Sequence, residues 1–486
     1  MIGLFTDTPF FSDISEVIRL FADVRGIGRL EAETPSAQGL SIVHRLTESD
    51  GVIKSEAKVY DGAKETECCE YASDAGTGAL GRKRAAKRAS KISVYRALAR
   101  HFQTELPWGS LTGIRPTKLL RDSERSLGED GARALFLNEF DVSEEKYRLA
   151  KEIISAQEGL FPSEDDLDLY IGIPFCVSRC AYCSFASETP DVFKGAQESY
   201  VQALLREIEG AKALFEGKNV RSVYVGGGTP TALPEKLLSE VLESAAALAG
   251  KAKEFTVEAG RPDTITEEKL NIIRSAGAGR ISVNAQTLND ATLSRIGRRH
   301  TAKDFFLAYE AAREAGFLIN VDIIAGLPGE TRRDFEATVA GVAELSPQNV
   351  TVHTLAIKRA SGFARENMNA FPGDKETAGM TGHAAAALRS QGYRPYYMYR
   401  QKYMKGCLEN VGYSREGHEC LYNIDNMEEL CCVAAFGAGA ISKLVLRRGE
   451  RIERAANIKD LRLYIANADA MAKRKLGLFQ DGIVNS

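Results

Sequence analysis

Three cysteines stand at intervals of four and three in "YIGIPFCVSRCAYCSF": Cys176, Cys180 and Cys183. Thiolates are soft ligands that suit iron–sulfur clusters and zinc. A CxxxCxxC run on a loop after a strand can set three thiolates around one corner of an iron–sulfur cube. Complete protein ligation of a [4Fe–4S] cluster takes four cysteines, so three leave one iron open to another molecule. Zinc competes for the same ligands, but a structural zinc site normally brings a second ligand pair at matched spacing. Cys407 and Cys420 lie more than 220 residues away, and His418 beside them completes no CxxC unit. A third reading packs the three thiols as small hydrophobes. The adjacent pairs Cys68–Cys69 and Cys431–Cys432 have no ligand spacing and read as structural.

Further polar groups close successive apolar runs. "VYVGGGTPT" places Gly226, Gly227, Gly228 and Thr229 just after a strand pattern. Glycines without Cβ let a ligand approach the backbone, and successive amides can form a polar nest. Glu258 ends "FTVEAG", Gln286 ends "ISVNAQ", Arg298 follows twelve residues later in "RIGRRH", and Asp322 sits inside "NVDIIAG". Charged and amide groups in such runs are costly to bury alone, so the set needs partners. Tyr170 lies six residues before Cys176 on the first strand.

The elements that position these groups alternate. The strand candidates are "LDLYIGI", "RSVYVGG", "EFTVEAG", "RISVNAQ", "LINVDIIAG" and "NVTVHTLAI", most of them followed by helical periodicity as in "SYVQALLREIEGAKALF". Six such units predict an α/β fold: a parallel sheet with right-handed crossovers, closed only in part as a (β/α)6 TIM-like barrel. Barrels of this kind carry their chemistry at the C-terminal ends of the strands, where every group named above falls. The expected division is an N-terminal α+β domain over 1–160, the barrel over 161–375, and a C-terminal α+β extension over 376–486. The N-terminal part contains "RKRAAKRASK", with six basic residues in ten, which reads as a solvated helix face or a surface for an acidic partner.

The chain has 486 residues, 44% hydrophobic content and a net charge of −3. No bulk positive field is present to hold nucleic acid. The start "MIGLFTDTPFFSDISEV" lacks a basic segment and a small-residue cleavage site, and no apolar run approaches the ~20 residues of a membrane span. A cytoplasmic protein is expected. In that compartment nine cysteines are more often free, catalytic or metal-bound than paired.

"CVSRCAYC" resembles the cluster motif of radical S-adenosylmethionine (SAM) enzymes. The wider sequence resembles the oxygen-independent coproporphyrinogen III oxidase family, most closely its HemZ branch. That likeness rests on "PWGSLTGIRPTK", "YIGIPFC", "YVGGGTPT", "DIIAGLPGET", "YYMYRQKYMKGCLENVGY" and "GAGAISK". The resemblance implies a [4Fe–4S] cluster on Cys176, Cys180 and Cys183, with SAM on the open iron. It implies that Gly226–Gly228 and Thr229 border the SAM methionine, that Glu258 and Arg298 hold its methionine end, and that Gln286 and Asp322 hold the ribose. It puts Tyr170 beside cluster and SAM, contributing to activity. The family reaction turns two propionates of coproporphyrinogen III into vinyl groups, giving protoporphyrinogen IX. An electron donor such as flavodoxin or ferredoxin is implied. "YRPYYMYRQKYMK" offers Arg394, Arg400, Lys402 and Lys405 for the carboxylates. Two positions depart from the oxidases: Phe185 replaces a fourth cysteine and Gly172 replaces a histidine. Heme chaperones of the same family also lack that cysteine. Heme binding, or another radical SAM reaction on a tetrapyrrole, is therefore the alternative expectation.

Overall fold

A computed structural model describes residues 2–22, 26–36, 38–183, 188, 195–358, 361–365, 371–446, 449 and 451–484. Phe185 lies outside them. The chain forms two compact units, one of residues 1–151 with 400–408, the other of 152–399 with 409–486.

In the first unit, strands β1 (Ile2–Thr6), β2 (Ile27–Arg29), β3 (Leu40–Ser49), β4 (Val52–Asp61) and β5 (Lys64–Asp74) make a sheet of order β2-β1-β3-β4-β5. Helices Phe11–Phe21 and Gly78–Phe102 supply Ile14, Ile18, Val94 and Leu98 to a core shared with Leu4, Ile42 and Val59. The basic start of the second helix stays on the surface. Its Arg82 meets Glu48 at 3.7 Å and its Lys87 meets Asp13 at 2.5 Å.

Six strands of the second unit run parallel in chain order: β6 (Asp166–Ile173), β7 (Asn219–Gly227), β8 (Glu254–Glu258), β9 (Arg280–Ser282), β10 (Leu318–Ala325) and β11 (Asn349–Thr354). Each falls within or over a run expected to be a strand. Helical crossovers separate them, among them Ala196–Gly210, Glu235–Ala249 and Arg332–Glu344. This is the expected partial (β/α)6 barrel. The C-terminal part prolongs the same sheet. β12 (Arg394–Tyr399) and β13 (Asn410–Ser414) add antiparallel strands beside β11, while β14 (Cys432–Phe436) pairs parallel with β6 and leads to β15 (Ile441–Leu446) and β16 (Arg451–Ala456). Among the described residues the sheet thus has eleven strands, and the boundary expected at 375 falls inside this second unit.

Strand period two sorts the interior into levels. Register pairs Asp168 with Ser222, Tyr170 with Tyr224, and Gly172 with Gly226 across β6 and β7. The first pair lies at the floor, the second midway and the third at the mouth.

Candidate functional site at the barrel mouth

The cysteine loop begins where β6 ends. Cys176 N–H donates to Glu188 O, Cys183 N–H to Cys180 O, and Ala181 N–H to Ile296 O. Cys180 is buried, while Cys176 and Cys183 are partly exposed. Gly228 makes room for this loop. A Cβ there would lie 2.6 Å from Phe175 O and 2.9 Å from Ile173 O. The Gly228 and Thr229 amides donate to Ile173 O and Phe175 O, and the Thr229 hydroxyl sits 3.5 Å from the Cys176 sulfur. These glycines therefore fit two strand ends together, a role that strand pairing dictates before any ligand enters.

Glu258 turns into the space beside Gly226, where a Cβ would approach its carboxyl to 2.8 Å. It accepts from Tyr224 Oη at 2.5 Å and from Gly227 N at 3.2 Å. Burial outweighs those bonds and pushes its pKa up to about 7. Tyr170 stacks 6.4 Å from Tyr224 and 6.0 Å from Tyr422, and Tyr224 and Tyr422 stack at 4.3 Å. Burial, then the Glu258 charge, raises the Tyr170 phenol, which keeps it neutral.

Gln286 is held in the left-handed region at φ 62°, uncommon for a residue with a side chain. Its amide donates to Asp322 O and its carbonyl accepts from Ile324 N, so β10 fixes it on both sides. Its side-chain Oε1 is buried without a hydrogen-bond partner. Asp322 accepts from Asn284 Nδ2 at 2.9 Å and lies 3.5 Å from His353 Nε2. The buried Arg298 donates to Gly260 O at 3.0 Å, Asn284 O at 2.9 Å and Tyr182 Oη at 3.1 Å.

The cysteine loop, Gly226–Gly228, Thr229, Glu258, Gln286, Arg298 and Asp322 thus lie at the mouth, with Tyr170 one level below them. Sequence reasoning missed Tyr224, Tyr182, Asn284, His353 and Arg261. Period two gave access to Tyr224, two residues before Gly226, and to Asn284, two before Gln286. Arg261 reaches Cys180 from 81 positions away in sequence, with Nη1 3.5 Å from the sulfur. Two of the cations offered for substrate carboxylates are spent elsewhere. Arg400 lies within the first unit, donates to Leu111 O at 2.5 Å and covers the Trp108 ring, while Lys402 pairs with Glu16 at 2.5 Å. A guanidinium bound to carbonyls and an aromatic face keeps little capacity for a ligand.

Among the described residues, Asp168, Asp425 and Cys431 are a trio whose ligand atoms lie within 4.8 Å of one another, at the barrel floor.

The sequence matches the radical SAM superfamily over residues 170–340. It is 39% identical over 379 residues to the oxygen-independent coproporphyrinogen-III oxidase-like protein HemZ of Bacillus subtilis, covering 76% of each chain. It is 28% identical to the heme chaperone HemW of Escherichia coli, over 58% of this chain and 71% of that one. The solved structure of coproporphyrinogen III oxidase (HemN) from Escherichia coli, 24% identical, superposes with a TM-score of 0.52 over 68% of this chain and 74% of that chain. That likeness bears on the fold. No helix among the described residues is long and apolar enough to cross a membrane.

The superfamily's cofactors are a [4Fe–4S] cluster and SAM. The mouth fits both. It offers three free cysteine sulfurs on one loop. It also offers a carboxylate, Glu258, and a guanidinium, Arg298, neither of which has an ion-pair partner among the described residues. A methionine moiety carries the opposite charges. The buried Gln286 Oε1 has no donor among the described residues, and a ribose hydroxyl would fit it. Sequence, fold and site agree: the chain belongs to the radical SAM superfamily and, within it, to the HemZ branch of the oxygen-independent coproporphyrinogen III oxidase family.

Proposed function

We propose that this protein oxidatively decarboxylates two propionates of coproporphyrinogen III, giving protoporphyrinogen IX. Its likeness to the oxidase-like HemZ across 76% of both chains is the observation that carries this reading. Cys176, Cys180 and Cys183 would hold the cluster. Glu258 would accept from the SAM amino group and Arg298 would bond its carboxylate, for which a planar fork is suited. Gln286 Oε1 and the Asp322 carboxylate would accept from the ribose, and Gly226–Gly228 with Thr229 would border the methionine. When bound, cluster and SAM supply the hydrogen-abstracting radical chemistry.

This chain's own residues then orient and exclude. Tyr170 stands midway between floor and mouth, in a near-parallel cluster with Tyr224 and Tyr422, so a ligand at the mouth rests on a rigid aromatic base. Loss of a hydrogen atom from the propionate β-carbon, then of CO₂ and one electron, leaves each vinyl. Holding that carbon in reach of the radical and away from water is the protein's contribution. A tetrapyrrole is the partner, and a reduced flavodoxin or ferredoxin would supply the electron.

A second reading follows from Gly172. The oxidases' histidine is absent there, and a Cβ would lie 3.3 Å from the Tyr170 ring and in ordinary contact, 3.5 Å, with the Phe436 carbonyl. The HemW relatives are named heme chaperones. Heme binding without turnover is the competing activity. One anaerobic assay separates the two: reduced, cluster-loaded protein is offered SAM with coproporphyrinogen III or with heme. The oxidase reading expects vinyl product with 5′-deoxyadenosine. Stoichiometric heme binding with neither product overturns it.

A further inference from the structure

Arg261 stands three residues past Glu258, in "EAGRPDT", and is 3% exposed. Its guanidinium is held on two sides. Nε and Nη2 form a fork on Asp263 at 3.1 Å each. Nη2 also donates to Ser178 Oγ at 2.9 Å, and Nη1 donates to Ser178 O at 3.3 Å. The remaining reach of Nη1 goes to Cys180 Sγ at 3.5 Å. Ser178 Oγ in turn donates to Gly297 O at 2.9 Å. His300 lies nearby, its Nδ1 3.9 Å from Asp263, and burial lowers its pKa to about 4, so it adds no charge.

Holding the loop needs the two Ser178 bonds. It does not need an N–H aimed at the buried sulfur. Hydrogen bonds to ligand sulfurs, with burial and net charge, set the potentials of iron–sulfur clusters. Such a bond draws electron density from the thiolate and favours the electron-richer, reduced state. A water-poor setting strengthens it. Arg261 shares its charge with Asp263, so the directional bond, rather than net charge, is what reaches the cluster.

We propose that Arg261 is a tuning residue: through its N–H···S bond to Cys180 it raises the one-electron reduction potential of the cluster and so eases electron entry. This rests on the cluster and is independent of which tetrapyrrole the site takes.

The test is a redox titration of the reconstituted full-length chain, followed by EPR, without SAM or tetrapyrrole. Midpoint potential is independent of how many chains hold a cluster. R261Q is expected to lower the reduced-to-oxidised ratio about tenfold at fixed potential, a shift of about 59 mV to more negative values for one electron. S178A, which removes one loop anchor and leaves the sulfur bond, is expected to titrate like the parent. A parent-like or more positive midpoint in R261Q overturns the proposal, as does an equal shift in S178A, which would trace the effect to loop geometry. Arg298 also approaches Cys180, so should R261Q hold no cluster, pulsed EPR of the reduced R298K chain carrying guanidino-¹⁵N-arginine decides. A ¹⁵N coupling is expected, and its absence overturns the proposal.

Discussion

The two ends of the barrel use the same residue types to opposite effect. At the floor, two guanidiniums are paired inside the protein, although Asp168 Oδ2 and Asp425 Oδ1 are buried without a hydrogen-bond partner among the described residues. Arg221 donates to Asp425 at 2.6 Å with both side chains out of solvent. Arg280 lies 3.4 Å from Glu254 and donates to Asn320 at 3.0 Å and to His418 O at 3.0 Å. At the mouth, neither Glu258 nor Arg298 has an ion-pair partner among the described residues, and Gln286 Oε1 has no donor there. A buried ion pair supports the fold only while both members remain. A lone carboxylate beside stacked tyrosines is held at an energetic cost, a pattern of binding sites. The floor ties barrel strands to the C-terminal part, as Arg221 on β7 does with Asp425 of helix Leu421–Glu428, and the mouth keeps polar groups for a ligand.

Predictions from this contrast run from total loss to modest modulation. Cys180→Ala should reduce bound iron from about four per chain to below one. The floor pairs are untouched, so the thermal midpoint should move by only a few degrees, about what ordinary single substitutions produce. Unfolding of the chain on this substitution would break the separation of mouth from floor.

Arg221→Ala strands Asp425 in the interior. The expected cost is about 3–5 kcal/mol in denaturant unfolding, as for other broken buried pairs. A change below 1 kcal/mol would remove the floor from the account of stability.

Glu258→Gln should weaken SAM about 10- to 100-fold by calorimetry, the worth of one charge-assisted hydrogen bond. Stability should move the other way. The Glu258 pKa is raised by burial from the ordinary carboxyl range to about 7. Its contribution to stability is therefore full below about pH 4.5 and lost as pH rises through 7. At pH 8 the glutamine variant should match or exceed the parent in thermal midpoint. A large drop would make Glu258 structural.

The same ionisation sharpens the comparison further. SAM affinity should rise between pH 6 and pH 8 about tenfold more in the parent than in E258Q, since binding uses the ionised carboxylate. Parallel pH profiles would dissociate Glu258 from the ligand.

Much of the mouth was legible because its residues are local to strand ends. The six strand runs follow from period two and their turns, and the three cysteines from their spacing, while the roles of the glycines, Glu258, Gln286 and Asp322 follow from the family resemblance. The floor was not legible. Arg221 and Asp425 are 204 positions apart, and nothing local to either names its partner. Tyr422 joins the Tyr170–Tyr224 stack from a helix in the C-terminal part, for the same reason. The joining of β12–β16 to the barrel sheet was missed because pairing is set by tertiary neighbours, which strand patterns do not name. Arg400 and Lys402 looked available beside tyrosines, and only the fold shows Trp108 and Glu16 engaging them.

The central claim is that three sulfurs at this mouth hold a [4Fe–4S] cluster with a corner for SAM. Anaerobically reconstituted, dithionite-reduced chain should contain about four irons and give an EPR signal that changes when SAM is added. The signal of the Glu258→Gln chain should need far more SAM to change. Iron well below that figure, or a parent signal indifferent to saturating SAM, would contradict the account.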